Sequence, residues 1–242
     1  MLAIECLKNR GDIERSKKVL RRRGFLHRGD RLLRIVRSSR FFGKIHVGDP
    51  MKSWDLLKTV TFLESHVPKE APVLDIGAYA SAVLPTLRKM GFQNLAGIDL
   101  NEDVKKMPFP ESIRYETGDF MKTPFPAGTF AAITAVSVIE HGFSGTELLS
   151  EVRRLLSPGG YFVASVDYWP EKIDTRGIRA FGLDWTIFSE AELVGFVHEA
   201  GKYGLYLPWA ADLRAEERVA HWFGKDYTFA WLVLQNKNDL PG

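Results

Sequence analysis

The chain has 242 residues, of which 45% are hydrophobic and 26% are charged. These values are typical of a globular domain and exclude a largely disordered chain. No stretch approaches 18 consecutive apolar residues, and the N-terminus lacks a signal-peptide pattern. The single cysteine, Cys6, excludes an intramolecular disulfide and a cysteine-based zinc cluster. We therefore expect a cytoplasmic protein.

Charge is distributed unevenly along the chain. Residues 1–44 carry 14 Lys and Arg against 4 Asp and Glu, whereas the remainder carries 19 against 26. Two short basic helices are predicted there, one near Asp12–Arg23 and one after Asp30. We divide the chain into a basic helical arm (1–48) and a second domain (49–242). Such an arm packs on the acidic body, or binds an anionic membrane or RNA.

Beyond the arm, strand and helix patterns alternate. Asp49 and Pro50 are typical of a helix start, and that helix is expected to end at Pro68. Strands are predicted at residues 72–77, 95–99, 113–117, 130–138, 161–166, 203–207 and 228–234. A further helix is predicted to end at Met90, and another is predicted at 210–223. Two more helices are predicted to begin at the capping boxes Ser144/Glu147 and Ser189/Glu192. Alternation of this kind predicts a parallel sheet covered on both faces, with ligands at the carboxyl ends of its strands.

The first predicted strand runs into a glycine turn. Gly77 follows Asp75, and Asp99 ends the second strand 24 residues after Asp75. A glycine turn followed by such an acid is typical of dinucleotide binding, where the acid accepts from ribose hydroxyls. Tyr79 stands where the second glycine of G-x-G-x-x-G would admit a pyrophosphate. The loop therefore favours a nucleoside cofactor without phosphates over NAD, and the missing Walker loop argues against ATP and GTP hydrolysis.

Six motifs occur in order between residues 50 and about 235. They are VLDIGAY (73–79), GID (97–99), GDF (118–120), TPFPAGTF (123–130), VIEH (138–141) and LSPGG (156–160). Together they resemble the class I S-adenosylmethionine (SAM)-dependent methyltransferases, specifically the broad small-molecule "type 11" group. The resemblance implies an α/β fold with a Rossmann-like, seven-stranded, mostly parallel sheet, helices on both faces and an N-terminal helical extension. It also implies SAM as the cofactor.

The resemblance assigns roles at matching positions. Gly77 would lie against the methionine part of SAM, Asp99 would hold the ribose hydroxyls, and Asp119 would accept from the adenine amino group. The implied cofactor-binding residues are Asp75, Gly77, Tyr79, Asp99, Leu100, Asp119, Phe120 and Ser137. Alternatively, Asp99 only caps a helix and Asp119 only shapes a turn. Most relatives have glycine at Tyr79, and a ring folded into the pocket would make the protein a non-catalytic relative.

His141, just after the fourth strand, is the candidate catalytic residue. Its ordinary pKa near 6.5 suits a general base, so we expect it to take the proton of a hydroxyl acceptor. Alternatively, His141 and Glu140 only shape the loop. We expect the methyl acceptor to be an oxygen atom of a small molecule, and less so a nitrogen or carbon atom. An aromatic acceptor wall or a set of core residues is expected from Trp54, Tyr168, Trp169, Trp185 and Trp209, with Asp167, Asp184 and His221 nearby.

Several functions are argued against. Ser137–Glu140 stands where DNA amino-methyltransferases carry their N/D-P-P-Y motif, and Cys6 is far in sequence from any predicted strand end. No acidic metal cluster is apparent, so no metal ligand is expected. The acidic body would repel a nucleic acid. The expected partner is a small-molecule acceptor, and peripheral membrane contact through residues 1–44 and a homo-oligomer are left open.

Overall fold

A computed structural model describes residues 1–26, 45, 47–142 and 144–237. The basic helix expected after Asp30 lies outside the described residues. The helices are α1 (Arg10–Arg22), α2 (Ser53–His66), α3 (Val83–Lys89), α4 (Gly145–Leu155) and α5 (Glu190–Lys202), with 3-10 turns at Pro50–Lys52 and Glu102–Lys106. The main strands are β1 (Ile4–Cys6), β2 (Val73–Ile76), β3 (Leu95–Asp99), β4 (Ile113–Thr117), β5 (Phe130–Val136), β6 (Leu156–Tyr168) and β12 (Lys225–Asn236). The short strands are β7 (Arg179–Ala180), β8 (Leu183–Asp184), β9 (Leu205–Tyr206), β10 (Ala211–Asp212) and β11 (Ala220–Trp222).

Ten strands of the described chain form one sheet. Its order is β10-β1-β12-β6-β5-β2-β3-β4, and β9 and β11 also pair with β12. Strands β2 to β6 run parallel to their neighbours in this set, whereas β12 is antiparallel to β6. The seven predicted strands correspond to β2–β6, β9 and β12, so the predicted α/β sheet is confirmed. Three short strands, β1, β10 and β11, extend it.

Helices cover both faces of the sheet and bury two apolar cores. On one face, α1, α2 and α3 contribute Leu20, Val60 and Leu84. On the other face, α4 and α5 contribute Leu148 and Leu193. This is the layered arrangement expected when amphipathic helices connect parallel strands, because each helix must bury its apolar stripe against the sheet.

Helix starts follow the predicted capping chemistry. The Asp49 side chain accepts from the Met51 amide at 2.9 Å, and Pro50 occupies the first position of the turn that leads into α2. At α5, the Ser189 hydroxyl and the Glu192 carboxylate each bond the other's backbone N–H, a complete capping box. These local hydrogen bonds explain why the helix starts were predictable.

The N-terminal segment is part of the sheet. Ile4 pairs with Leu232 and Cys6 with Ala230 in an antiparallel ladder. Three residues are too few for a periodic signal, so the sequence did not predict this strand. Cys6 is buried, and burial raises the pKa of its thiol to about 12, which disfavours the reactive thiolate.

The helix predicted at residues 210–223 is wrong. The segment instead contains β10 and β11, and Ala220 pairs with Tyr227 across a turn at Phe223 and Gly224. Pairing with the long strand β12 outweighs the local helical propensity of this charged stretch. Two strand limits also differ, because β5 stops at Val136 before the left-handed Ser137 (φ 54°) and β6 begins already at Leu156.

Candidate functional site

A cavity of about 1310 Å³ lies at the carboxyl ends of β2, β5 and β6. Gly77 after β2, Ser137 after β5 and Asp167 near the end of β6 line its sheet side. Residues of α1, α2 and α3 form much of the opposite wall. Strand order reverses between β2 and β5, and that is where open α/β sheets bind ligands.

The Gly77 turn requires glycine for two reasons. Its φ of +69° is in the left-handed region, and an added Cβ would lie 2.4 Å from a methyl carbon of Val138. Beneath the turn, Asp75 is buried and accepts from the Thr134 hydroxyl at 2.5 Å, which ties β2 to β5. Burial raises the pKa of Asp75 to about 7. Asp75 therefore lies within the sheet, and it is Gly77 that lines the cavity.

Asp99 connects two loops. One carboxylate oxygen accepts from the Tyr79 amide at 2.9 Å, and the other accepts from the Asn101 amide at 2.8 Å. Each oxygen keeps acceptor capacity, since an ionised carboxylate has about four lone-pair positions. Asn101, not Asp99, caps the following 3-10 turn, so Asp99 shapes the loop before that turn and can still accept from ligand hydroxyls.

The residues predicted around adenine lie beside the cavity. Leu100 is 58% exposed, Phe120 is half-buried, and Asp119 is exposed with one oxygen accepting from the Met121 amide at 2.8 Å. Asp99 ends β3, Leu100 follows it, and Asp119 and Phe120 come after β4. None of these four residues lines the cavity. The predicted cofactor residues thus form two groups, one at the cavity and one along the adjoining sheet edge. Tyr79 joins them, because its backbone bonds Asp99 while the residue lines the cavity.

Unpaired polar atoms at the cavity fit a polar ligand. The Ser137 hydroxyl and His141 Nδ1 are buried, and neither has a hydrogen-bond partner in the described part of the chain. Buried polar atoms normally have partners, so such atoms beside a cavity favour a bound group. The residues present therefore fit SAM, with carboxylate lone pairs at Asp99 for ribose hydroxyls and polar atoms at Ser137 for its amino-acid end.

His141 lines the cavity and is flanked by aromatic rings. Its ring centroid lies 5.5 Å from that of Phe181 and 6.2 Å from that of Trp222, both edge-on. Burial lowers the pKa of His141, so its imidazole is neutral at neutral pH. A neutral imidazole can accept a proton, as the predicted base role requires.

A cluster of buried charges forms the floor of the cavity. Lys52 Nζ lies 3.0 Å from an Asp167 oxygen, and Trp185 donates its indole N–H to the other oxygen at 2.9 Å. Asp55 and Glu140 are also buried, and burial raises the pKa of Asp55 to about 7. Glu140 and Asp167 were noted in the sequence as loop and strand-end residues.

Lys52 and Asp55 were missed by sequence reasoning, since nothing in their local pattern shows that the start of α2 faces the strand ends. The one available signal is a charged residue between two apolar ones, Trp54 and Leu56.

The aromatic candidates divide between the cavity and the two cores. Trp185 contacts Trp222 and Tyr227, with ring centroids 5.2 and 5.6 Å apart, and the latter two line the cavity. Tyr168 belongs to the core under α4 and α5, where its hydroxyl donates to the Leu213 carbonyl at 2.8 Å. Trp209 packs on Phe62 at 6.0 Å.

The remaining candidates lie outside the cavity or at its rim. Trp54 is buried in the core of the α2 side. The Trp169 ring stacks under the Arg218 guanidinium at 4.4 Å. His221 lines the cavity and pairs with Asp226 at 2.7 Å, and Asp184 is exposed. Of the late aromatic residues, Trp222 and Tyr227 therefore form part of the cavity wall, and Trp185 supports them.

Two further findings concern metals and membranes. Among the described residues, no three His, Cys, Asp or Glu side chains are placed to hold a metal ion. Within the same residues, none of the helices combines the length and apolar character required to cross a bilayer.

Comparison with known proteins points to one family. Residues 74–164 match the family model described as "Methyltransferase domain". The chain is 25% identical to a sterol 24-C-methyltransferase of Yarrowia lipolytica over 69% of its own length and 48% of that protein's. It is 32% identical to a sterol 24-C-methyltransferase of Gibberella zeae over 37% of its own length and 26% of that protein's. The chain thus spans at most about half of these relatives.

The fold is similar to that of solved methyltransferases. A structure of geranyl diphosphate C-methyltransferase from Streptomyces coelicolor, in complex with Mg²⁺, geranyl diphosphate and S-adenosyl-L-homocysteine, aligns with a TM-score of 0.54. The alignment covers 80% of this chain and 86% of that one at 16% identity. At 16% sequence identity, this structural similarity shows a shared fold alone.

Proposed function

The chain carries a class I SAM-dependent methyltransferase domain, and on that premise we propose that it methylates a hydroxyl oxygen of a small molecule. The observation that carries this proposal is the position of His141, which shares one cavity with Gly77 and Ser137 at the β2–β5 switch point. The methionine end of the cofactor, the acceptor and the base can therefore meet in one cavity.

Different residues would bind different parts of SAM. Asp99 would hold the ribose hydroxyls, Asp119 and Phe120 the adenine, and Gly77 and Ser137 the methionine part. SAM, when bound, supplies a methyl group on a positively charged sulfur, and displacement of that methyl requires an in-line nucleophile. The protein's part is to align the acceptor and to keep water out.

His141 activates the acceptor. A neutral ring nitrogen of His141 would take the proton of the acceptor hydroxyl, whose oxygen would receive the methyl group that SAM supplies, leaving S-adenosylhomocysteine. The ring is kept neutral because burial lowers its pKa. Phe181 and Trp222 pack edge-on against the ring and hold its orientation.

Calorimetric titration with SAM and with S-adenosylhomocysteine tests the cofactor assignment. We expect micromolar binding that weakens at least about tenfold in Asp99→Asn, because the amide loses acceptor capacity for the ribose hydroxyls. The matched control is Asp103→Asn, a half-buried aspartate four residues away whose carboxylate pairs with Lys106, which should leave binding unchanged. Absence of binding at millimolar ligand would contradict the proposal and indicate that the Tyr79 ring closes the site.

The names of the matched relatives support carbon as a second candidate acceptor atom, since both the sterol and the geranyl diphosphate enzymes are C-methyltransferases. The two candidates differ in the product. Mass spectrometry with methyl-labelled SAM would show a methyl ether for oxygen transfer and a new carbon–carbon bond for carbon transfer.

A further inference from the structure

The floor of the cavity holds more buried acidic groups than basic ones. Asp55, Glu140 and Asp167 are 0%, 1% and 3% exposed, and Lys52 forms an ion pair with Asp167. Three ionised carboxylates beside one ammonium would leave an uncompensated negative charge in a low-dielectric interior. This cluster therefore either retains protons or receives a second cation.

Among the described residues, Asp55 and Glu140 both lack hydrogen-bond partners for their carboxylate oxygens, and of these two Glu140 is the one that lines the cavity. Neither of its carboxylate oxygens has a hydrogen-bond donor from another residue within the described ranges, yet the residue lines the cavity. Asp167, by contrast, is bonded by Lys52 and Trp185. An unpaired carboxylate with almost no solvent contact is costly unless a ligand supplies its partner.

Aromatic rings beside the cluster add a second attraction for cations. Lys52 Nζ lies 3.4 Å from the centroid of the Phe229 ring, so one ring of the cavity wall already contacts a cation. Trp222 and Tyr227 also line the cavity. Ring faces attract ammonium groups most strongly where water is excluded.

We propose that the cavity floor binds an organic cation, the ammonium group of the acceptor, with Glu140 as its carboxylate partner and Trp222 and Tyr227 as its walls. The proposal rests on the proposed function in placing the acceptor in this cavity. It specifies the acceptor as a hydroxyl compound that also carries an amine. The ammonium anchors the molecule, and the hydroxyl remains available to His141.

Binding of the ammonium displaces a proton from the cluster. The groups that face it are Lys52 from the 3-10 turn before α2, Asp55 from α2, Glu140 and His141 after β5, Asp167 from β6 and Tyr227 from β12. Burial raises the pKa of Glu140 well above its ordinary value, which favours the protonated carboxyl in the empty cavity. The arriving cation favours the ionised form, and affinity therefore rises with pH.

The test compares phenethylammonium with phenethyl alcohol, a neutral analogue of similar shape, by calorimetric titration at pH 7. S-adenosylhomocysteine is present at saturation so that the cofactor's own ammonium position is filled. We expect the ammonium to bind at least about tenfold more tightly than the alcohol. Titrations in phosphate and in Tris, which differ in ionisation heat, should show release of up to about one proton per bound ammonium.

Two variants test whether Glu140 is responsible for the preference for the ammonium. Glu140→Gln should reduce the preference for the ammonium to less than about threefold, because the amide cannot supply a negative charge. Glu70→Gln, an exposed glutamate just before β2 at the opposite end of the strand, should leave the preference intact. If Glu140→Gln does not fold, the proposal is tested on the wild type alone, by the affinities for phenethylammonium and phenethyl alcohol and by the proton release.

Three results would overturn the proposal. They are equal affinity for the alcohol and the ammonium, ammonium binding without proton release, and a loss of S-adenosylhomocysteine affinity in Glu140→Gln as large as the loss for the ammonium. The last would assign Glu140 to the cofactor. Failure of the proposed function gives a different pattern, in which S-adenosylhomocysteine does not bind while phenethylammonium, titrated alone, still does.

Discussion

Burial sets the chemistry of single residues in this protein. His141 follows β5 and Asp75 lies within β2. In both residues burial favours the neutral form, because the charged form is poorly solvated. For the histidine the consequence is a neutral imidazole that can accept a proton at neutral pH. For the aspartate it is a carboxyl that retains its proton and bonds Thr134 within the sheet.

Replacing His141 tests its role as the base. We expect His141→Gln to lower kcat for a hydroxyl acceptor by about 10²- to 10⁴-fold, while the affinity for S-adenosylhomocysteine stays the same. In the wild type, kcat should be retained down to below pH 6.5, because the imidazole must be protonated before activity falls. Unchanged turnover in the variant would assign His141 a loop-shaping role.

The raised pKa of Asp75 makes stability depend on pH. The carboxyl ionises near 4 in the unfolded chain and near 7 in the fold, so the folded state binds more protons between these values. Its contribution is therefore fully present below pH 4 and is lost as pH rises through 7. We expect Asp75→Asn to show a smaller fall in melting temperature from pH 5 to pH 8 than the wild type. Burial also raises the pKa of Asp55 to about 7, but Asp55 is present in both the wild type and Asp75→Asn and contributes equally to their pH dependence. The control variant Asp103→Asn should show the same fall in melting temperature as the wild type.

At the scale of elements, local hydrogen bonds determine where helices begin, whereas pairing partners determine where strands lie. The capping box of α5 is complete within four consecutive residues, Ser189 to Glu192. Strand β11 exists only because β12 pairs with it. The same contrast explains why the helix starts predicted at Asp49, Ser144 and Ser189 are confirmed while the helix predicted at 210–223 is wrong.

Removal of the α5 cap should destabilise the fold measurably. Ser189→Ala deletes the hydroxyl of the capping box and should lower the free energy of unfolding by about 1 kcal/mol. Ser65→Ala is the matched control, since this exposed hydroxyl bonds only the Thr61 carbonyl within α2 and its loss should cost little. Urea unfolding of the three proteins checks this, and equal midpoints would show that the cap contributes nothing.

At the scale of the whole molecule, the N-terminal segment serves both the fold and the site. Strand β1 pairs with β12, and Ile13 of α1 packs in the core. Arg10 and Lys17 of α1 lie at the cavity wall. The outer side of α1 exposes Lys18, Arg21 and Arg22. A basic surface thus borders the cavity, which supports peripheral contact with an anionic membrane as a proposal.

Charge removal on α1 tests that contact without deleting β1. We expect the full chain to be retained on phosphatidylserine-containing vesicles at low salt and released as ionic strength increases. Replacing Lys18, Arg21 and Arg22 by Gln should reduce retention severalfold. A control with Lys122, Arg176 and Lys202 replaced by Gln removes the same charge from exposed positions of the body. Equal loss in both variants would indicate a net-charge effect, and no retention of the wild type would exclude the membrane contact.

The sequence by itself determined the alternation of strands and helices, the helix caps and the placing of Gly77, Asp99 and His141 at strand ends. These features depend on periodicity and on hydrogen bonds between near neighbours. The tertiary structure alone decided that Lys52 and Asp55 meet Glu140 and Asp167 beneath one cavity. It also decided that β1 joins the sheet. The physical reason is that both arrangements depend on contacts between residues far apart in the chain, which no local pattern records.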